Sequence, residues 1–279
     1  MKIKAFSSLG LCETQVQSGG EMTFHIIVCI KSVVTGAPSG VVKRTPQNSR
    51  LNPFDRPALE AALQMKERNK GRVSAITMGP AVSGEALAEA LAMGVDRGVL
   101  ISDPALGGSD TLVTSRVLAA AVKRIGKFDL LFFGTRTSDS DTGQVGPQTA
   151  TLLGVPFISG VKQFDGQTGD WTVARGMDEW EETWRLSSPW AASIDQHAYV
   201  PRSIGLDSIS QVFDHIDIEE WSLTDLDLAV EDVGLAGSPT RVVALKKLRH
   251  DRKCFMLEGD AQVQVAELVT HLNKAGVLA

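Results

Sequence analysis

The chain reads as an α/β protein built on an open parallel sheet, with helices on both faces. Three observations predict this. Apolar runs at Phe24–Ile30, Val73–Met78, Val95–Ile101 and Phe128–Phe133 alternate with segments of helical period. The runs are nearly continuous, as in strands buried on both faces, not alternating as in half-exposed ones. The alternation stops near Pro156, and several short strand-like runs then follow one another directly. The expected fold class is therefore a Rossmann-like open parallel sheet with an added antiparallel strand pair and an extended C-terminal tail ending in a helix.

The elements follow in order. Residues 1–21 hold Ser, Gly, Gln and Glu without a period. They read as an N-terminal extension that is disordered or not native, with Met22 as a candidate start. Phe24–Ile30 is the first strand, and residues 32–51, rich in Gly, Ser, Pro and Thr, read as a loop. Asp55 is placed as the cap of a helix that has Arg56 and Pro57 in its first turn and runs to Asn69. Val73–Met78 is the second strand, ended by Gly79 and Pro80. A helix over Ser83–Met93 closes on Gly94, a fitting left-handed cap. Val95–Ile101, a helix over Asp110–Ile125, and the strand Phe128–Phe133 complete the regular part. Phe157–Phe164, Trp171–Arg175 and Thr183–Leu186 read as short antiparallel strands, and Pro189–Ile194 as a return to the main sheet. Beyond Pro201 the sequence is irregular. Asp225–Asp232 reads as an acidic helix, Leu235–Thr240 as a linker, and Asp260–Ala275 as a terminal amphipathic helix.

Composition narrows the function. The chain has 279 residues, 43% of them hydrophobic, and a net charge of -5. That is ample for a large core and gives no footprint for nucleic acid. The basic cluster Lys246, Lys247, Arg249, Arg252 and Lys253 is interrupted by Asp251 and reads as a solvated face. No apolar run approaches a membrane span, so no membrane insertion is expected. Cys12, Cys29 and Cys254 form no metal-ligand spacing and leave an odd count, which suits a reducing cytoplasm. The five histidines are scattered, so no metal site and no catalytic constellation is expected.

The segment Phe133-Gly-Thr-Arg-Thr-Ser-Asp-Ser-Asp-Thr-Gly-Gln-Val-Gly-Pro-Gln148 carries the chemistry. A strand, a loop of small and hydroxyl residues, and then a helix is how open α/β sheets place backbone N–H groups around phosphate. Pro147 suits the first helical position, with Gly146 as cap. Asp139 and Asp141 repel phosphate and are better placed to accept hydrogen bonds from sugar or polyol hydroxyls. A plain polar surface loop with a helix cap fits the same residues.

In this order the segments resemble the β subunit of electron-transfer flavoproteins. The resemblance rests on Ile27-Val-Cys-Ile-Lys31, Asn52-Pro-Phe-Asp55, Ile76-Thr-Met-Gly-Pro80, Ala90-Leu-Ala-Met-Gly-Val-Asp-Arg-Gly98, Asp139-Ser-Asp-Thr-Gly-Gln-Val-Gly-Pro147 and Gly234-Leu-Ala-Gly-Ser-Pro-Thr240. It implies a heterodimer whose α subunit carries an FAD, while this subunit holds an adenine nucleotide: AMP in one branch, a second FAD in the other. The wording at 139–147 and 234–240 resembles the two-flavin, bifurcating-type branch, so FAD is preferred over AMP. The implied pocket comprises Cys29 beneath the adenine, Asn52, Pro53, Phe54 and Asp55 along the base, and Met78 and Gly79 at a strand end. Asp139, Asp141, Thr142, Gly143, Gln144, Val145 and Gly146 would surround ribose and phosphates. Arg136 departs from the family wording and can pair with phosphate or with a reduced flavin. Cys29 and Met78 also read as ordinary core residues, and Phe54 as a core aromatic.

The resemblance further implies docking of a flavin-dependent dehydrogenase on the loop after Asp195. Gln196, His197, Ala198 and Tyr199 stand there, with Ala198 at the position of a branched aliphatic anchor and Tyr199 as a substitute. The implied division is a nucleotide-binding domain at 22–203 and a tail at 204–279 packing on the α subunit. The function implied is that of an electron carrier whose redox chemistry belongs to flavin, not of an enzyme in itself. A nucleotide-binding regulatory module of the same architecture is the alternative.

Overall fold

The computed structural model describes residues 24–35, 44–167, 169–214, 217–243 and 254–278. The extension at 1–21, with Cys12, and the basic cluster at 246–253 lie outside the described residues.

Nearly unbroken apolar stretches give the strands. β1 (His25–Cys29) is buried throughout. β2 (Ser32–Val34) and β3 (Ser49–Leu51) pair antiparallel, so the expected loop at 32–51 begins and ends in a small ribbon. α1 (Arg56–Asn69), β4 (Arg72–Met78), α2 (Gly84–Met93), β5 (Arg97–Ile101), α3 (Thr111–Ile125), β6 (Leu130–Gly134) and α4 (Val145–Leu153) follow the predicted alternation. Then come β7 (Phe157–Gln167), β8 (Asp170–Met177), β9 (Trp180–Leu186), β10 (Trp190–Ile194), α5 (Leu206–Asp214), β11 (Ile218–Trp221), α6 (Gly234–Gly237) and α7 (Ala261–Lys274).

Nine strands form one sheet in the order β11-β5-β4-β1-β6-β10-β7-β8-β9. The chain runs outward from β1 through β4 to β5, then crosses back to place β6 on the other side of β1. The sheet therefore has its switch point between β1 and β6, where α/β proteins open a crevice at the carboxyl ends of the strands. One core packs Ile26 and Val28 against Leu59 and Leu63 of α1 and Leu87 of α2. The other packs Ile27 and Cys29 against Val117 and Ala121 of α3 and Ala150 of α4.

Several expectations are corrected. β7 runs parallel to β10, because the crossover through α4 returns the chain in the sheet direction; only β8 and β9 are antiparallel additions. Asp225–Asp232 is no helix. It holds two short 3-10 turns, with Asp227 in a left-handed conformation (φ 52°) between them. α4 begins at Val145 with Gln144 at its cap position, so Gly146 is not the cap and Pro147 is the third helical residue, within the first turn. Proline is tolerated there because the first N–H groups of a helix have no helical acceptor.

By their internal contacts the residues divide at Val242 into two units. The expected boundary at 203/204 falls inside the first, since β11 pairs with β5 and completes the sheet edge. The second contains α7, whose residues Asp260 and Gln262 onward begin with a side-chain cap: Asp260 accepts from the N–H groups of Gln262 and Val263. No helix among the described residues is long and apolar enough to cross a membrane.

Candidate nucleotide-binding site

The crevice at the switch point is built from three segments: the end of β1, the head of α1 and the loop after β6. Asn52 is fully buried and joins them. Its N–H donates to the Lys31 carbonyl at 2.9 Å. Its Nδ2 donates to Asp55 Oδ1 at 2.8 Å and to the Arg136 carbonyl at 2.9 Å, and its Oδ1 accepts the Ser138 N–H at 3.3 Å. Asp55 stands at the cap position of α1, yet its side chain does not cap the helix. It turns inward and accepts the Lys31 N–H at 2.7 Å and the Gly134 N–H.

Lys31 closes the other side. Its Nζ lies 2.6 Å from Asp139 Oδ1 and 2.9 Å from Ser140 Oγ, and Arg44 approaches Asp139 Oδ2 at 3.7 Å. Burial works against the Asp139 carboxylate, but the Lys31 ammonium and the Ser140 and Thr137 hydroxyls outweigh it and hold the carboxyl below its usual range. Asp139 is thus committed to two cations rather than left for a sugar hydroxyl. Asp141 is the freer carboxylate: it is exposed, in the left-handed region (φ 53°), and 3.6 Å from Arg136. The Arg136 guanidinium lies over the Phe54 ring, 4.6 Å from its centroid. Phe54 is half-buried and belongs to neither core.

The remaining expected residues divide. Thr142 and Gly143 are exposed on the loop, and Gly143 has a φ of 62° that favours glycine. Gln144 accepts from Thr111 Oγ1 at 3.1 Å, which ties the loop to α3. Val145 and Gly146 open α4, whose first N–H groups are unsatisfied by the helix and are the donors that bind anions. Gly146, however, is buried, and a Cβ there would sit 3.1 Å from the Phe157 ring. Its lack of a side chain serves packing against that ring. Pro53 is exposed beside Asn52. The Cys29 thiol is buried, and burial, then Asp55, push it well above its ordinary range. Met78 is half-buried at the edge of the second core, opposite Ile101. Gly79 donates its N–H to the Ile101 carbonyl at 3.0 Å.

Lys31 and Arg44 were not singled out from the sequence as site residues. Lys31 ends the Ile27–Lys31 motif, which is the signal that marks it; Arg44 carries none. The Gly234–Thr240 motif also proves structural for the site. Ser238 Oγ accepts the Asp110 N–H at 2.9 Å, and Thr240 donates from Oγ1 to Asp110 Oδ2 at 2.8 Å. The motif therefore fastens the head of α3, one residue from the Thr111–Gln144 contact.

A sequence model of the electron transfer flavoprotein domain matches residues 39–220. The chain belongs to the electron transfer flavoprotein family. The electron transfer flavoprotein subunit beta of Clostridium acetobutylicum is 36% identical over 78% of this chain and 86% of its own length. The caffeyl-CoA reductase-Etf complex subunit CarD of Acetobacterium woodii is 37% identical over 78% and 86%. The acryloyl-CoA reductase electron transfer subunit gamma of Anaerotignum propionicum is 33% identical over 91% of this chain and its whole length. The role of this electron transfer flavoprotein chain is that of a β subunit, an electron carrier.

Among the expected docking residues, Ala198 and Tyr199 are partly buried against the first core, and Tyr199 packs on Phe164 with ring centroids 5.9 Å apart. Gln196 and His197 hydrogen-bond each other at 2.7 Å. The exposed apolar side chain of this loop is Val200, at 85%.

Proposed function

We propose that the chain forms a heterodimer with an electron transfer flavoprotein α subunit and holds an adenine nucleotide in the β1–β6 crevice, FAD in preference to AMP. The observation that carries this reading is the loop at 135–144, tied at a switch point to Asn52 and Lys31. Its phosphate side is served by the N–H groups that begin α4, with Gly143 giving close backbone approach. Asp141 is the carboxylate free to accept ribose or ribityl hydroxyls. Arg136, resting on Phe54, brings a positive charge to the mouth of the crevice.

When bound, FAD supplies reversible one- and two-electron transfer. The protein's part is to hold and orient the nucleotide and to present it to partners. Met177, Trp180 and Trp184 on the β8–β9 hairpin are exposed at 47%, 78% and 44% and offer the α subunit an apolar face. The amphipathic α7 offers it a second. Two relatives are named as parts of CoA-reductase assemblies, and by that likeness the redox partner is a flavin-dependent dehydrogenase docking at residues 196–200. The free thiols of Cys29 and Cys254 suit the cytoplasm.

Purification with its α subunit, denaturation and nucleotide counting test the reading. Two FAD and no AMP per heterodimer is the expected result. One FAD and one AMP refutes the preference for FAD, and one FAD with no second nucleotide refutes the site.

A further inference from the structure

All three walls of the crevice meet on one carboxylate. Asp55 accepts from the Lys31 N–H at the end of β1, from Asn52 Nδ2 at the head of α1, and from the Gly134 N–H at the end of β6. The two residues it holds in turn hold the loop: Asn52 grips Arg136 and Ser138, and Lys31 grips Asp139 and Ser140. No ion pair neutralises Asp55 among the described residues. The nearest cation, the Lys31 ammonium, is engaged by Asp139, the Arg136 guanidinium lies over Phe54, and the neighbouring Cys29 thiol is neutral.

We infer that Asp55 is a proton-linked positioning residue of the nucleotide site: it fastens β1, β6 and the head of α1 together, and it takes up a proton from solvent when an anionic nucleotide enters the crevice. The inference rests on the nucleotide reading above. Burial pushes the Asp55 carboxyl up to about 7, against the pull of the Lys31 N–H, the Asn52 amide, the Lys31 ammonium and the Gly134 N–H. Near neutrality the site is therefore divided between the charged and uncharged forms. The negative charge that an anionic nucleotide brings into the crevice favours the uncharged form. Linkage fixes the sign: binding that raises the pKa takes up a proton, is strongest at low pH, and weakens as pH rises through 7. Each unit by which the nucleotide raises that pKa makes about a tenfold difference in affinity between the two ends of the range.

The test is FAD binding to the full heterodimer, stripped of this nucleotide, from pH 6 to 8.5, where the pyrophosphate of FAD carries constant charge. Affinity is expected to fall about tenfold over this range in the wild type, for a one-unit shift. Asp55→Asn, uncharged throughout, is expected to bind more weakly at every pH, because its Nδ2 faces an N–H from which the carboxylate accepts, and with a flat profile. Carbon-13 carboxyl shifts of the wild-type protein provide a second readout that needs no variant to fold: the Asp55 midpoint is expected to move upward when FAD is added. FAD binding with a flat wild-type profile, or an unmoved midpoint, overturns the inference and leaves the nucleotide site standing. No FAD binding at any pH overturns the reading of the site and the inference with it.

Discussion

At Gly134 the missing side chain lets β6 meet the head of α1. A Cβ there would fall on Asp55 Oδ1 and within 2.6 Å of the Phe54 carbonyl oxygen, and the backbone has no room to yield. Gly134→Ala is expected to cost about 1–3 kcal/mol, the usual range for overpacking, and to lower nucleotide occupancy at the same time. Chemical denaturation and nucleotide counting check the two halves. The family resemblance grouped Asn52, Asp55 and the loop as one site, and Asn52 does bond to the loop at Arg136 and Ser138. The sequence did not reveal how the side chains divide the work. Asp55 has the residue type and place of a helix cap, and only the Lys31 and Gly134 N–H groups show that its carboxylate turns inward. Asp139 looked free for a sugar because Lys31 is 108 residues away in sequence.

Between elements, the segment after β10 is pinned to α1 by one ion cluster. Arg202 donates from Nε to Glu60 Oε2 at 2.8 Å, from its backbone N–H to the same oxygen at 3.1 Å, and to Glu67 at 2.8 Å. Glu60 is buried, which works against its charge, but the Arg202 and Gln64 hydrogen bonds prevail and hold its carboxyl below the usual range. Arg202→Ala leaves that carboxylate without its cation and is expected to cost about 1–3 kcal/mol. Because the folded-state pKa of Glu60 is depressed, the stabilisation is present above its ordinary pKa and is lost as pH falls. The gap between wild type and Arg202→Ala should narrow in acid, which urea titrations at pH 7 and pH 4 measure. Elements with strong apolar runs, such as β1 and β6, were legible in the sequence. The failures came where a local pattern was decided by distant contacts. The acidic run at 225–232 has Leu226, Ala229 and Val230 at helical spacing, but it packs on the second core through Leu226 and Leu228 and leaves Val230 exposed, so it folds as turns. The direction of β7 depends on the crossover before it, not on its own residues.

For the whole molecule, the sheet order places the proposed nucleotide crevice at the carboxyl ends of β1 and β6, and the proposed docking loop follows the carboxyl end of β10, the next strand beyond β6. In that proposal a bound nucleotide and a docked partner would share one edge of the sheet. The resemblance placed the docking anchor at Ala198 or Tyr199, but both side chains are partly buried against the first core, where Tyr199 meets Phe164. One residue later the branched aliphatic Val200 is exposed at 85%, and we propose it as the anchor of the loop. An exposed apolar residue on a loop held at both ends, by Asp195 and by Arg202, loses little conformational entropy when a partner covers it. Val200→Glu places a charge where an apolar pocket would close, and a central apolar anchor is worth about 2 kcal/mol or more. The expected outcome is a fall of at least about tenfold in the rate of electron transfer with the partner dehydrogenase, carried by weaker association. Stability, nucleotide content and α-subunit binding should stay unchanged, because the Val200 side chain is 85% exposed. Stopped-flow kinetics across dehydrogenase concentrations separate the cases: a raised half-saturation with an unchanged limiting rate supports docking through Val200, and an unaltered concentration dependence assigns docking elsewhere.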